Sequence, residues 1–371
     1  MNSMRKIPFI DLQAQFQASK DELINEVTAV LASGKYVLGD NVRSFEQEFS
    51  SYVGSEKAVG CASGSDALLL ALMAYDIKEG DEIITTPFTF FSTASCITRL
   101  GARPVFVDID PATYNIDPAK IEEKITDKTK GIIVVHLFGQ PADMDPIGEI
   151  SKKYNLVVIE DADQAVGARY KGKTVGSLGD IGAFSFFPTK NLGCCGDGGI
   201  MTVQDKEIAE RLIVLRDHGA KPQYYHPHIG VNSRLDEIQA AILKVKLKLL
   251  PDWTDKRCAH AARYNSLLGD TPVAIPFAID NVSPVYNQYV IRVKSNRDLV
   301  REKLTSLGVS TGVYYPLPLS LQECFKYLGY KEGDLPHSEN AAHEVLALPI
   351  TPELSESDIE YVATKIKECV T

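Results

Sequence analysis

The feature that most restricts this chain is an alternation. From Lys57 to Val203, short apolar runs the length of buried strands take turns with helical stripes. Lys57 to Cys61, Glu82 to Thr85, Pro104 to Val107, Gly131 to Val135, Leu156 to Ile159, Ile181 to Phe187 and Ile200 to Val203 read as strands. Asp66 to Tyr75, Phe91 to Leu100 and Pro146 to Tyr154 read as helices between them, and Asp117 with Pro118 reads as the cap and first residue of another. Strands that are apolar throughout must be covered on both faces. The expected fold class is therefore α/β, a mostly parallel central sheet flanked by helices.

Helices bracket this stretch. Ser19 and Glu22 form a capping box, Leu23, Val27, Val30 and Leu31 a stripe, and Gly34 a stop, which predicts a helix from Ser19 to Ala32. Phe45, Phe49 and Tyr52 make a second stripe behind a cap at Asp40 or Asn41. A long helix is expected from Arg234 to Leu250, ended by Pro251. Beyond Trp253 the chain reads as a smaller α/β unit. It has a strand from Tyr286 to Val293, a helix through Leu299, Val300, Leu304 and Leu307 stopped by Gly308, and a last helix capped by Ser355 and Asp358. A length of 371 residues suits this division into a large domain over 1–252, with an N-terminal helical segment in 1–35, and a small C-terminal domain over 253–371.

Several function classes are excluded early. With 49 acidic and 39 basic residues the chain carries a formal charge of −10, which leaves no basic footprint for nucleic acid or anionic lipid. The longest apolar run, Ala67 to Tyr75, falls far short of the ~20 residues of a membrane span. The start, Met1 to Asp11, meets an acid before an export signal's apolar region could form. The seven cysteines are odd in number and scattered, with no C-x-x-C pair, so neither a disulfide scaffold nor a zinc site is expected, and a reducing cytoplasm fits best. His226 and His228 share one side of an extended segment, but no Cys or carboxylate completes a metal cluster around them.

In a parallel sheet, ligands bind beyond the carboxyl ends of the strands, and four pieces of sequence fall there. Ser63-Gly64-Ser65-Asp66 follows a strand and opens a helix. It reads either as an ordinary N-cap or as a phosphate cradle made of free N–H groups, a glycine that permits close approach and a hydroxyl. It is not a P-loop, and the chain has no G-x-G-x-x-G turn. Glu160-Asp161-Ala162-Asp163-Gln164 offers either a crevice carboxylate or a solvated loop acid. Ser185-Phe186-Phe187-Pro188-Thr189-Lys190 places a lysine just past an apolar strand, ahead of the glycine-rich Gly196-Asp197-Gly198-Gly199. Alone it is a surface charge; desolvated, it is a nucleophile toward an aldehyde. Thr86-Pro87-Phe88-Thr89-Phe90-Phe91 supplies aromatics for the core or for the face of a planar ligand. Together the four provide a phosphate cradle, a carboxylate, a lysine and a flat aromatic face. That is the set pyridoxal 5′-phosphate requires: an amine for its aldehyde, an acid for its ring nitrogen and donors for its phosphate.

These motifs, with Pro8-Phe9-Ile10-Asp11-Leu12, Gly39-Asp40, Phe45-Glu46, Arg216-Asp217-His218-Gly219 and Gly230-Val231-Asn232-Ser233-Arg234-Leu235-Asp236, occur in the order of the DegT/StrS nucleotide-sugar aminotransferases. The chain resembles that family from residue 8 to about Pro349. The resemblance implies the fold of type I pyridoxal-phosphate transferases. It implies that Lys190 forms the imine with the cofactor and later moves the proton, and that Asp161 holds the ring nitrogen. Gln164 would bond the ring oxygen, Phe90 would stack on the ring, and Gly64, Ser65 and Ser185 would bind the phosphate. Asn232 would reach that phosphate from a neighbouring subunit, making the active unit a homodimer, and would also suit a cap for the long helix. Arg234, Tyr314 and Tyr315 would meet the sugar nucleotide; relatives often carry His at the places of Tyr314 and Ser320. His218 reads as structural, since the lysine already serves as acid and base.

The resemblance implies a ping-pong transfer from L-glutamate to C3 of a dTDP- or UDP-linked 3-keto-hexose, for amino sugars of a surface glycan such as a lipopolysaccharide O-antigen, or of a glycosylated product. Asn232-Ser233-Arg234 is similar to members acting at C3, whereas those acting at C4 more often carry Asn-Tyr-Arg. Relatives with His in place of Lys190 deoxygenate sugars; here the lysine is present. The alternatives are the same chemistry at C4 and a regulatory homologue without turnover. A hydride-transfer enzyme ranks behind them for want of the glycine fingerprint.

Overall fold

The computed structural model describes residues 5–370; Met1 to Met4, part of the stretch read for an export signal, and Thr371 lie outside the described residues. The chain opens with helices α1 (Leu12–Ser33) and α2 (Asp40–Val53), then runs β1 (Lys57–Cys61), α3 (Gly64–Ala74), β2 (Glu82–Thr85), α4 (Ser92–Arg99), β3 (Arg103–Phe106), β4 (Thr129–Val135), α5 (Met144–Tyr154) and β5 (Val157–Asp161). The short strands β6 (Arg169–Tyr170) and β7 (Lys173–Thr174) precede β8 (Ile181–Ser185), β9 (Gly199–Val203), α6 (Lys206–Leu215) and α7 (Glu237–Leu268). The rest comprises β10 (Val282–Ser283), β11 (Tyr289–Arg292), α8 (Arg297–Ser306), α9 (Pro336–Glu344), β12 (Val345–Leu348) and α10 (Glu356–Val370). One seven-stranded sheet, in the order β1-β9-β8-β5-β4-β2-β3, forms the frame. Only β9 runs against the others, so the carboxyl ends of β1, β2, β4, β5 and β8 share one edge.

Strand alternation sorts the side chains of β5 and β8 onto two faces. Ile159, Ile181 and Ala183 pack into the core under α3. Asp161 and Ser185, two residues further along the same faces, therefore emerge together at the strand ends beside α3 and α4. On the opposite face Phe184 and Phe186 join Phe45 and Phe49 of α2, with ring centroids 5.1–5.7 Å apart. The stripe expected of α2 is thus the wall of a second core.

Two ends of α2 explain motifs that carry no chemistry. Glu237, the first residue of α7, accepts hydrogen bonds from the N–H groups of Asn41 and Val42, 3.0 and 2.9 Å away. A carboxylate thus caps the positive end of α2. A Cβ at Gly39 would come within 2.8–3.0 Å of that carboxyl group, so glycine is needed there. Glu46 pairs with Arg216 and accepts from the N–H of Gly60, while Arg216 donates to the Gly60 carbonyl at 2.7 Å. Together they clamp the end of β1.

Several elements depart from expectation. α1 begins seven residues early, where the Asp11 carboxylate accepts from the N–H of Ala14, and breaks from helical geometry at Ser19, the expected cap (φ −131°). Asp117 does cap, but the two short 3-10 turns Pro118–Lys120 and Glu122–Lys124 follow in place of an α-helix. The long helix starts at Glu237, not Arg234, and Pro251 does not end it. Proline removes one helical hydrogen bond. Here an apolar face on either side, Leu243, Leu247 and Leu250 before and Ala261, Tyr264 and Leu268 after, is buried in two different cores and carries the helix through. The expected boundary at 252 therefore falls inside α7. Strand β11 is shorter than the expected run and pairs antiparallel with β12, which stripe analysis did not reveal. The two sit over α8 and α10 in a core around Tyr264, Tyr289 and Leu348. Ile7 exchanges hydrogen bonds with Gly308 and Ser310, 2.8 and 3.0 Å, which ties the start of the chain to this C-terminal unit.

Phe49 is fully buried among Phe45, Phe184 and Phe186. Phe49→Ala is expected to cost ~3–5 kcal/mol of stability, read as a lower urea midpoint at unchanged slope.

Candidate active site

Asp161 is the last residue of β5 and only 4% exposed. Its Oδ2 accepts from the Thr93 hydroxyl of α4 at 2.7 Å, Thr93 shares a hydrogen bond of 2.9 Å with Thr89, and Oδ1 accepts from the N–H of Asp163 at 3.4 Å. Burial raises the Asp161 carboxyl above the ordinary range; the Thr93 hydrogen bond and the positive charge of Lys190 oppose that rise. Lys190, half-buried in the turn after β8, acts in the same way on Asp163. Lysine and acids thus lie within electrostatic reach of one another at the carboxyl edge of the sheet.

Glu160, one residue earlier, faces the other side. Its carboxylate accepts from the N–H groups of Gly176, Leu178 and Gly179 at 2.7–2.8 Å and lies 2.9 Å from Nε2 of His136. His136 Nδ1 accepts from the N–H of Ala142, so Nε2 carries the ring hydrogen. This buried group anchors the loop before β8 and leaves the crevice to Asp161.

The remaining expected residues fall at several places. Gly64 is the first residue of α3, and Ser63 caps the helix by accepting from the N–H of Asp66. The N–H groups of Gly64 and Ser65 have no partner among the described residues. Ser185 is buried beside Gly64. Gln164 accepts from the N–H of Phe138 at 2.8 Å and donates to the Tyr315 hydroxyl at 3.0 Å. Tyr315 is flanked by Phe88, Phe90 and Tyr314, with Phe90 itself 54% exposed. Burial raises the hydroxyl pKa of both tyrosines. These residues form one connected group with Asp161.

Asn232 and Arg234 sit apart from it. Asn232 is exposed, and the residue before α7 is Asp236, so Asn232 is not that helix's cap. Its backbone pairs with Asp217, and Arg234 forms an ion pair with Asp217 at 2.6 Å, so the motifs Arg216 to Gly219 and Gly230 to Asp236 are partners of each other. Ser233 donates to Asp66 of α3 and accepts from the N–H of Ala62, which brings this loop alongside the start of α3. His218 is exposed, and its carbonyl lies 3.0 Å from His226.

Two participants escaped the sequence reading. Thr93 lies 68 positions from the acid it supports. Asp163, which the sequence does not single out within Glu160 to Gln164, is 8% exposed, its carboxyl Oδ1 has no partner, and burial together with the charge of Asp161 pushes it up to about 8. The only signal available was its place two residues beyond Asp161 on the same strand exit.

Comparison with known proteins agrees with this geometry. The model of the DegT/DnrJ/EryC1/StrS aminotransferase family matches residues 17–367. The chain is 51% identical over 366 residues to a pleiotropic regulatory protein of Geobacillus stearothermophilus, covering 98% of each. It is 42% identical over 367 residues to a UDP-N-acetyl-3-dehydro-alpha-D-glucosamine 3-aminotransferase of Acidithiobacillus ferrooxidans, covering 99% of each. Among solved structures it is similar to S. venezuelae DesV in complex with a ketimine intermediate, at a TM-score of 0.96 and 40% identity over 98% of each chain.

The raised acids carry a pH signature. Folding favours their neutral forms, and for Asp163 the stability so conferred is complete below about pH 4 and is lost as pH rises toward about 8. Asp163→Asn removes one of the two. Without added cofactor, the urea midpoint of the wild type is expected to fall more between about pH 5 and 8 than that of the variant, by up to ~1.4 kcal/mol per pH unit. Equal falls would show that Asp163 does not titrate in this window.

Proposed function

This chain belongs to the DegT/DnrJ/EryC1/StrS aminotransferase family, and from that premise we propose that it transfers an amino group from L-glutamate to C3 of a UDP- or dTDP-linked 3-keto-hexose. It is a pyridoxal-phosphate-dependent nucleotide-sugar aminotransferase. The observation that carries the residue assignments is that Lys190 lies within electrostatic reach of the buried Asp161. The residues present fit the cofactor. A Cβ at Gly64 would lie 2.6 Å from Ser185 Cβ, so the start of α3 is open only because residue 64 is glycine, and two free N–H groups face outward there.

When bound, pyridoxal phosphate supplies an aldehyde that condenses with amines and a protonated ring that accepts the electron pair released at the substrate carbon. The residues do the rest. Asp161, whose charged form the Thr93 hydroxyl and Lys190 favour against burial, would hold a proton on the ring nitrogen. Lys190 would offer Nζ as the amine that meets the aldehyde and would act as general base and acid for the proton at the donor's carbon. Gly64, Ser65 and Ser185 receive the phosphate, Gln164 the ring oxygen, and Phe90 covers the ring face. Arg234, Tyr314 and Tyr315 meet the sugar nucleotide. Asn232 reaches the phosphate of a second subunit in a homodimer; its exposure and its loop's place beside α3 support that reading.

Residues 1–252 form the cofactor-binding unit and 253–371 the small unit in this proposal. A cytoplasmic setting goes with it, supported by seven free thiols, and the product serves a surface glycan such as an O-antigen or another glycosylated compound. No helix among the described residues is long and apolar enough to cross a membrane. The Geobacillus relative's name keeps one rival in view, a regulator without turnover. Purified protein without visible imine absorbance after cofactor is added would favour that rival.

Two experiments test the proposal. Lys190→Ala should lower turnover by more than ~10³-fold while still retaining cofactor on a desalting column; a variant near wild-type activity overturns the assignment. Offered 3-keto and 4-keto nucleotide sugars, the enzyme should aminate the former, with the new amine on C3 by NMR. Amination at C4 alone would move the chain to the other subgroup.

A further inference from the structure

We propose that Asp163, in its protonated form, donates a hydrogen bond to the cofactor's phosphate, and that the proton it holds sets the upper pH limit for cofactor retention. The inference rests on the reading that α3 takes the phosphate. The geometry comes from one point in space. A Cβ built on Gly64 would meet Asp163 Oδ2 and Oδ1 at 2.5 and 2.6 Å and Ser185 Cβ at 2.6 Å. The carboxyl group therefore lies against the first residue of α3, beside the serine and the two unpartnered N–H groups assigned to the anion. It is more than nine-tenths buried, and neither of its oxygens has a hydrogen-bond partner among the described residues. A buried, unpaired carboxyl aimed at a helix N-terminus lacks its natural partner.

Its protonation follows from the neighbourhood. Asp161 and Asp163 leave the same strand two residues apart, and two buried carboxylates this close do not both ionise readily. Asp161 has the Thr93 hydroxyl and the Asp163 N–H on its oxygens, and both favour its charged form over that of Asp163. Asp163 has neither and keeps the proton. The charged groups that face Asp163 are Asp161 on β5, which raises its pKa, and Lys190 after β8, which lowers it; burial dominates and the value stands at about 8. Asp66 on α3 and Arg216 after α6 lie around the neighbouring thiol of Cys61, which also senses Asp163. As a carboxylate, Asp163 would repel a phosphate dianion. As an acid it supplies a short O–H donor, among the stronger hydrogen bonds. An arriving dianion binds the protonated form, so above about pH 8 each binding event must take up a proton.

The test uses pyridoxamine 5′-phosphate, which has no aldehyde and so binds without bonding to Lys190. Its affinity for apo wild type, Asp163→Asn and Asp163→Ala is measured by equilibrium dialysis between about pH 7 and 9.5. Wild-type Kd should rise about tenfold per pH unit above about 8 relative to Asp163→Asn, whose amide stays neutral and can still donate. At about pH 7 the Asn variant should lie within ~3-fold of wild type and the Ala variant should bind ~10-fold more weakly. Pyridoxamine, which lacks the phosphate, should show none of these differences. Ionisation of the phosphate itself and of the ring acts on all three proteins and cancels in the ratios. Parallel pH profiles for wild type and Asn, or equal losses with and without the phosphate group, would overturn the role of Asp163 and leave the cofactor reading intact. No binding of pyridoxamine 5′-phosphate to wild type would remove both.

Discussion

Two carboxyl groups two residues apart at the buried end of one strand cannot both be charged unless a cation comes between them. Most of what surrounds β5 follows from that constraint. One acid, Asp161, receives the hydroxyl of Thr93, which is itself bonded to Thr89, and faces the charge of Lys190. The other, Asp163, receives nothing and lies against the start of α3. The site is therefore polarised before any ligand enters. Two hydrogen bonds and Lys190 favour the charge on Asp161, whereas the Asp163 carboxyl has no bond among the described residues.

The alternation of a strand is what makes such a site compatible with a stable sheet. Glu160 and Asp161 are adjacent, yet they serve opposite faces. Glu160 spends its charge on three backbone N–H groups and His136, holding the loop that leads into β8. Ser185 shares the Asp161 face, while Phe184 and Phe186 on the other side lock β8 to α2. A rigid aromatic core thus backs the residues whose positions matter for chemistry, which is how strand-end sites keep their geometry.

Much of this was legible because it is periodic. Buried parallel strands are continuous apolar runs, and each expected strand from Lys57 to Val203 is present within two residues at either end. Lys190, Asp161, Gly64, Ser185 and Gln164 could be singled out because they follow apolar runs, but their roles came from the resemblance and not from those positions alone. What stayed hidden depends on partners distant in sequence. Glu237 capping α2, Thr93 steadying Asp161 and the tie of Ile7 to Gly308 leave no local pattern. The break at Ser19 and the run through Pro251 were misjudged for a related reason. Local rules describe an isolated helix, whereas packing against two cores decides where α7 ends.

That continuity bears on how the C-terminal segments meet the sheet. α7 enters the core behind β8 with Leu243 and Leu250 and leaves through the core of the small unit with Tyr264 and Leu268, so the two units share one uninterrupted shaft. The tie between Ile7 and Gly308 adds a second link. Tyr314 and Tyr315 follow on the segment just beyond it, and Tyr315 closes back on Gln164, whose other end is fixed by Phe138 beyond β4. The chain 313–319 is thereby held across the cleft by a polar contact that is itself anchored in the sheet. Asp161 and Lys190 take their positions from β5, α4 and the turn after β8, and Gln164 is the side chain that ties Tyr315 back to that framework.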